Sequence, residues 1–410
     1  MKIFRRSQKM LIASHILHVV LELFISTFLT SYIVSLTPDS VFGNGLINVG
    51  IFYVSWFITY PLLNIVVSHF VDKSNRTTML RIGIIVNAVL LTAIVLWGKQ
   101  ISKWLVFAGM MCGISDAFYY SSYLVIKNEI NTNATFKEYN LFITILVNLI
   151  KIIVPTILGF IIDYSSYSIA SICVIVVTIA SFILTFFIKS PRPENSQFEM
   201  RKYLKFLKDN KDIRNKIGYT YINAVLAGFK NGYKIIVVIL TIFTFKTNLN
   251  LGIFTSLFSL TTMLLLMLYK KTEKHPKINQ FWIYLIVGLL PFIAGIVMCL
   301  WLNKITLIIF NFCLTLAIYF GDYLGSVERD AIIKLIKKDE FISEHQCIFE
   351  TVTCLFRVVC YALFIVCGLF GELAFKIFLC IILAISPIKN LVIYKQRLIR
   401  EEFEKIETAE

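Results

Sequence analysis

Long apolar segments recur along this chain from residue 10 to residue 394, with only short polar breaks between them. An α-helix of roughly 20 apolar residues matches the ~30 Å hydrocarbon core of a bilayer. Lipid offers no water to the backbone, so each such segment must close its own hydrogen bonds as a helix. The chain therefore reads as an all-α polytopic membrane protein. Spans are expected near residues 10–35, 45–71, 78–97, 103–127, 139–162, 166–188, 217–245, 249–269, 280–302, 305–328, 345–371 and 374–394. Composition agrees: 58% of the 410 residues are hydrophobic and 16% charged, too few polar side chains to cover a water-soluble body.

Positive charge sets the orientation, because cytoplasmic connections carry the excess of Lys and Arg. Thirty of the 40 fall in or beside the N-terminal segment, the C-terminal tail and the five alternate connections between them. The other connections hold five, Lys99, Lys103, Lys246, Lys304 and Lys376. A span miscounted by one would scramble this alternation beyond the error. Twelve helices with both termini cytoplasmic are expected, in a plasma membrane of bacterial type. Residues 1–9 have the basic character of a signal-peptide start, but the apolar run continues to about Ser35 without a small-residue cleavage site, which fits a retained first helix.

The net charge of +15 does not indicate nucleic acid, since the bases are not gathered on one folded face beside stacking aromatics. The nine cysteines lie inside apolar segments, with no C-x-x-C pair and no histidine at metal-ligand spacing. They read as small packing residues, and no metal or cofactor is expected. H-E-x-x-H, Walker and G-x-S-x-G motifs are absent, and no connection is long enough to house a soluble catalytic domain. The chain does not read as an enzyme.

The two halves repeat. Asn48-Val-Gly-Ile-Phe52 returns as Asn250-Leu-Gly-Ile-Phe254, 202 residues on, while Asp116 matches Asp322 and Lys151 matches Arg357 at an offset of 206. The expected organisation is a six-helix bundle over 1–188, a basic cytoplasmic linker over 189–216 containing a short amphipathic helix at the membrane surface, a second six-helix bundle over 217–394 and a cytoplasmic tail over 395–410. Six is even, so both bundles enter from the same side and form parallel repeats about an axis along the membrane normal.

After the second span the chain has Ser68-His-Phe-Val-Asp72-Lys73-Ser-Asn75-Arg76. This resembles the motif G-x-x-x-D-[RK]-x-G-[RK] of the major facilitator superfamily: Asp72, Lys73 and Arg76 match, while Ser68 and Asn75 stand where that family has glycine. The corresponding stretch of the second half, residues 269–279, lacks the Asp and the Gly. The resemblance implies that Asp72, Lys73 and Arg76 form a gating latch on the cytoplasmic side. It also implies a central cavity lined by helices 1, 4, 7 and 10 with faces of 2, 5, 8 and 11. A monomer is expected.

Eight ionisable residues fall inside expected spans away from their ends: Glu22, Asp116, Lys151, Lys230, Lys234, Asp322, Glu350 and Arg357. A charge at mid-bilayer costs a few kcal/mol unless it faces a cavity or a partner. At 100° per residue these positions join polar stripes, such as His15, His18 and Glu22 on the first span and Asn223, Lys230 and Lys234 on the seventh. Asp116 with Lys151, and Asp322 with Arg357, read either as ion pairs that fix packing or as contacts to substrate or a coupling ion. Glu22, with two histidines one and two turns away, is the candidate proton site. Lys230 and Lys234 share a face and would repel unless an anion lay between them. Lys389, near an inner end of the last span, is expected to snorkel towards the membrane surface. The function these features suggest is secondary active, proton-coupled transport of a small anionic or zwitterionic solute by alternating access. A lipid or glycolipid flippase of the same fold, and a non-transporting receptor or assembly protein, are the other readings.

Overall fold

The computed structural model describes residues 5–37, 41–73, 76–130, 133–189, 198–273, 279–336 and 341–407. Among these residues the first half forms α1 (Arg6–Ser35), α2 (Leu46–Lys73), α3 (Arg76–Trp97), α4 (Leu105–Ile130), α5 (Asn133–Tyr164) and α6 (Tyr167–Thr185). A linker helix, Met200–Asp209, follows. The second half forms α7 (Lys211–Phe245), α8 (Asn248–Glu273), α9 (Gln280–Leu300), α10 (Lys304–Ile336), α11 (Ile342–Phe370) and α12 (Glu372–Glu407). Each of the expected spans has its helix, and no strand occurs among the described residues. Ten of these helices are long and apolar enough to cross a membrane. In α4 the apolar run is diluted by Asp116 and a cluster of Ser and Tyr, and α10 is apolar over Lys304–Ile318.

Two helices outrun their expected ends. In place of an end at residue 328, α10 continues to Ile336; in place of an end at 394, α12 continues to Glu407. No Gly or Pro follows Pro387 to stop α12. Its polar extension is held by an Arg397–Glu401 pair of 2.7 Å along the helix, an Arg400–Glu328 pair of 2.8 Å to α10 and a Lys216–Glu402 pair of 3.9 Å to α7. Pairs spaced four apart and between neighbouring helices extend a helix after its apolar face has ended.

By contact the chain divides into two compact units. The first comprises Met1–Phe198 with Val238–Ser259 and Tyr361–Leu369; the second comprises Glu199–Val237, Leu260–Cys360 and Phe370–Glu410. In the first unit α2 lies along α4, α3 packs on α4 and α6, and α1 packs on α6 and α5. In the second, α9 packs on α10 and α12. The third helix of each half thus lies against its own fourth and sixth.

The repeated N-x-G-I-F segments acquire a shared role within the first unit. A Cβ on Gly50 of α2 would lie 2.9 Å from the Tyr361 carbonyl oxygen of α11, and a Cβ on Gly252 of α8 would press into the Pro155 carbonyl of α5. Each glycine permits a helix approach that any side chain would block. Beside Gly252, Thr156 and Ser256 hydroxyls lie 2.8 Å apart. The α8 N-terminus is capped from α5: Asp163 accepts from Asn248 N at 3.1 Å, Asn248 Nδ2 at 3.0 Å and Leu249 N at 2.7 Å. Asn248 Oδ1 in turn accepts from Ser31 of α1 at 2.6 Å and Tyr167 of α6 at 2.7 Å. One carboxylate and one amide therefore tie four helices at this end of the unit, with the carboxylate on the positive end of the α8 dipole.

The linker helix belongs to the second unit and turns its apolar face into it. Tyr203 and Leu207 are buried against Ile217 of α7 and partly buried Phe341 and Ile348. Tyr203 Oη lies 2.9 Å from Tyr221 Oη and 2.9 Å from His345 Nδ1, and Glu199 N donates to Glu344 at 2.8 Å. Burial pushes the Tyr203 phenol up to about 12, so it stays protonated at working pH. Arg201, Lys202, Lys205 and Lys208 face outward, exposed or partly so.

Candidate functional site

The second unit holds a half-open cavity of about 240 Å³ among α7, α10, α11 and α12. Its lining includes Lys230, Arg329, Glu350, Arg357 and Lys389, with Asn223, Asn231 and Thr353. Three expected site residues, Lys230, Glu350 and Arg357, are thus brought together from helices far apart in sequence. Lys230 is 6% exposed, and its ammonium donates to the Ile318 carbonyl oxygen at 2.6 Å. Arg329 stacks over the Phe349 ring at 4.5 Å, and Glu350 accepts from Gln346 at 2.9 Å.

Lys389 corrects one expectation. Instead of snorkelling from a helix that faces lipid, it is 4% exposed and lines this cavity. The cause lies on α10. Added Cβ atoms would stand 3.2 Å from Lys230 Nζ at Gly321 and 3.3 Å from both Asn223 Nδ2 and Ile393 Cδ1 at Gly325. Two glycines one turn apart open a window in α10 through which side chains of α7 and α12 meet. The G-x-x-x-G spacing around Asp322 is the sequence signal for this. Asp322 and Lys234 lie on the α10 and α7 backbones, and their side chains fall outside the described residues.

The first unit gathers the remaining candidates around α1 and α4. His15 Nδ1 lies 3.1 Å from Tyr119 Oη, and its ring stacks on Tyr123 with centroids 4.2 Å apart. His18 stacks on Tyr119 at 3.4 Å. Glu22 Oε1 is 3.9 Å from His18 Nε2, and its side chain is 37% exposed against 2% for the histidine. Just beyond Glu22, α1 widens into a π-helical stretch, Phe24–Leu29, a distortion that recurs at functional sites. Thr30 closes that stretch by bonding the Ser26 carbonyl at 3.2 Å and Tyr53 Oη at 2.8 Å. Asp116 accepts from Trp56 Nε1 of α2 at 2.8 Å, and Lys151 is half-buried on α5. Tyr119 and Trp56 are neighbours of these candidates that the sequence patterns did not single out.

At the α2–α3 junction, Arg76 is 4% exposed and its Nε donates to the Val71 carbonyl oxygen at 3.3 Å, closing the end of α2. Asp72 and Lys73 end that helix, with side chains outside the described residues. All nine cysteines are free, and no group of three or more potential metal ligands occurs among the described residues.

Over residues 19–325 the sequence matches the family model described as Major Facilitator Superfamily. No curated protein matches in sequence. Solved structures share the fold along nearly the whole chain. A mutant of the nucleoside transporter NupG superposes with a TM-score of 0.65 at 13% identity, covering 96% of this chain and 100% of that one. A POT family transporter in complex with a thioalcohol-conjugated peptide gives 0.68 at 12% identity, with 96% of each chain covered. The human organic anion transporter MFSD10 gives 0.64 at 13% identity, covering 95% and 99%.

Proposed function

The chain belongs to the Major Facilitator Superfamily, and from that premise we propose that this secondary transporter carries a small anionic or zwitterionic solute by alternating access, coupled to protons. It works as a monomer in the plasma membrane, with both termini cytoplasmic. The observation that carries the solute class is the charge of the second-unit cavity: four bases, Lys230, Arg329, Arg357 and Lys389, face one described acid, Glu350. A lining rich in bases favours the entry of a negatively charged group. Arg357 and Arg329 supply planar forks suited to a carboxylate or phosphate, while Asn223, Asn231 and Thr353 offer neutral hydrogen bonds for orientation. An organic anion, the class named for the human protein of the same fold, suits such a lining and a volume of about 240 Å³.

Lys234, on α7, and Asp322, on α10, are assigned the same role. Glu22 is the proton site, since His18 stands beside it and the α1–α4 ring stack holds the histidine in place. Asp116 and Lys151 take part in binding substrate or the coupling ion, and Asp72, Lys73 and Arg76 bias the equilibrium between access states as a gating motif.

The test is a thermal-shift screen of purified protein against dicarboxylates, phosphate esters, nucleosides and amines, since a ligand bound to the folded state raises its apparent stability. Anionic compounds are expected to raise Tm, and Arg357→Ala and Lys230→Ala to abolish the rise. Stabilisation by amines alone, or an undiminished shift in both variants, would overturn the reading. Uptake of the hit into proteoliposomes then separates transport from binding.

A further inference from the structure

The first unit carries a second cavity, unrelated to the charged groups above. It is a groove of about 440 Å³ between α3 and α6, floored by Ala88 and Ala93 and walled by Ile85, Val89, Leu96 and Ile179. Those four wall residues are about half-exposed or more, so none of the described residues covers them. Two hydroxyls line the groove, and both are spent on their own helices: Thr92 bonds the Ala88 carbonyl at 2.8 Å and Thr178 the Val174 carbonyl at 2.8 Å. What remains is a hydrocarbon surface. From Ile84 to Leu96 it runs about 18 Å, slightly more than one leaflet of a ~30 Å core.

One end of the groove is different. Arg81 lies one turn before Ile84 and Ile85 on the same face of α3. Its guanidinium is fixed by three contacts from the end of α6: Nε to Thr185 Oγ1 at 3.1 Å, Nη2 to the Thr185 carbonyl at 3.3 Å, and the Phe186 ring at 4.1 Å. A guanidinium has five donors, and these bonds use two. Two further bases lie near this end of α6: Arg6 over the Phe187 ring at 5.6 Å, and Lys189, whose backbone amide bonds Ser7 at 3.2 Å. No Asp or Glu occurs in residues 76–98 or 167–189. Neither wall of the groove can therefore balance this charge.

We propose that this groove binds an anionic phospholipid, with one acyl chain lying along α3 and α6 and its phosphate held by Arg81. An apolar channel one leaflet long, ending at an anchored guanidinium, matches the two parts of that molecule and no part of a soluble ion. A preorganised arginine fork favours phosphate over an uncharged head, and the bases beside it favour a headgroup of net negative charge.

The test is native mass spectrometry of the full chain released from detergent with phosphatidylglycerol, phosphatidylcholine or inorganic phosphate added at equal concentration. Phosphatidylglycerol should be retained at least fivefold more than phosphatidylcholine, with no adduct from phosphate alone. Arg81→Gln should remove the preference between the two lipids. Ala88→Phe, which fills the groove and leaves Arg81 in place, should reduce retention of both. Equal retention of the two lipids by the unaltered protein overturns the proposal, as does a phosphate adduct of similar abundance or a preference that survives Arg81→Gln. Because the readout counts bound lipid on folded protein, loss of stability in one variant does not mimic the expected pattern.

Discussion

Replacing Asp163 by alanine should loosen the junction of α5 with α8. The carboxylate accepts three hydrogen bonds at the α8 N-terminus, two of them from backbone N–H groups that have no partner inside the helix. Loss of a helix cap costs about 0.5–2 kcal/mol and loss of a charge on the helix dipole about 0.3–1 kcal/mol at an exposed site. The two overlap, so about 1.5 kcal/mol is the working figure, or roughly tenfold in the population of the opened junction. Hydrogen exchange followed by mass spectrometry reads this directly, provided the right amides are chosen. Amides 248 and 249 lose their own acceptor and would exchange faster in any case. Those of 252–255 bond within α8, so they speed up only if the end of the helix leaves its place. They should exchange roughly tenfold faster in Asp163→Ala, less so in Asp163→Asn, whose amide oxygen still accepts, while peptides of α12 stay unchanged. Raised salt should shrink the difference, because the carboxylate is exposed and its charge is screened. Exchange at 252–255 within about twofold of the unaltered protein would refute the claim that Asp163 fastens α8.

Gly321→Val should weaken solute binding at least as much as Lys230→Ala, since its Cβ would already stand 3.2 Å from Lys230 Nζ, and overpacking of this kind costs about 1–3 kcal/mol; titration by thermal shift checks it. Tyr203→Phe removes a buried hydroxyl that His345 and Tyr221 share, at about 1–2 kcal/mol, so limited proteolysis of the linker helix should run roughly five- to thirtyfold faster. Glu22→Gln should preserve solute binding and flatten the dependence of uptake on a pH gradient; uptake by proteoliposomes that still follows the gradient would remove Glu22 from coupling.

The spans were legible because the length of an apolar run is itself the structural variable in a bilayer, and all the expected runs became helices. That Lys230, Glu350 and Arg357 line one cavity accords with the polar stripes on which they sit in α7 and α11. Lys389 was not. Its position depends on what α10 leaves open, and the window made by Gly321 and Gly325 becomes visible only when two other helices are packed against it. The bond from Trp56 to Asp116 was hidden similarly, because an indole donor 60 residues upstream gives no charge signal. Tyr119 escaped because it adjoins Tyr120, and choosing between neighbours needs the true rotation of α4 against α1. The N-x-G-I-F repeat was recognised as duplication, but its use as a pair of close helix approaches had to wait for the packing partners, Tyr361 and Pro155.

The unbroken course of α12 has a practical consequence. With 36 residues it is about 54 Å long, so it outruns a ~30 Å hydrocarbon core by several turns, and its far stretch is braced to α7 and α10 by Lys216–Glu402 and Arg400–Glu328. A helical domain fused in register after Glu407 would inherit that rigidity instead of swinging on a tether. Such a fusion would give a small membrane protein with little mass outside lipid a fixed landmark for aligning single-particle images. The landmark's tilt from one image class to another would report the attitude of the unit that holds the charged cavity.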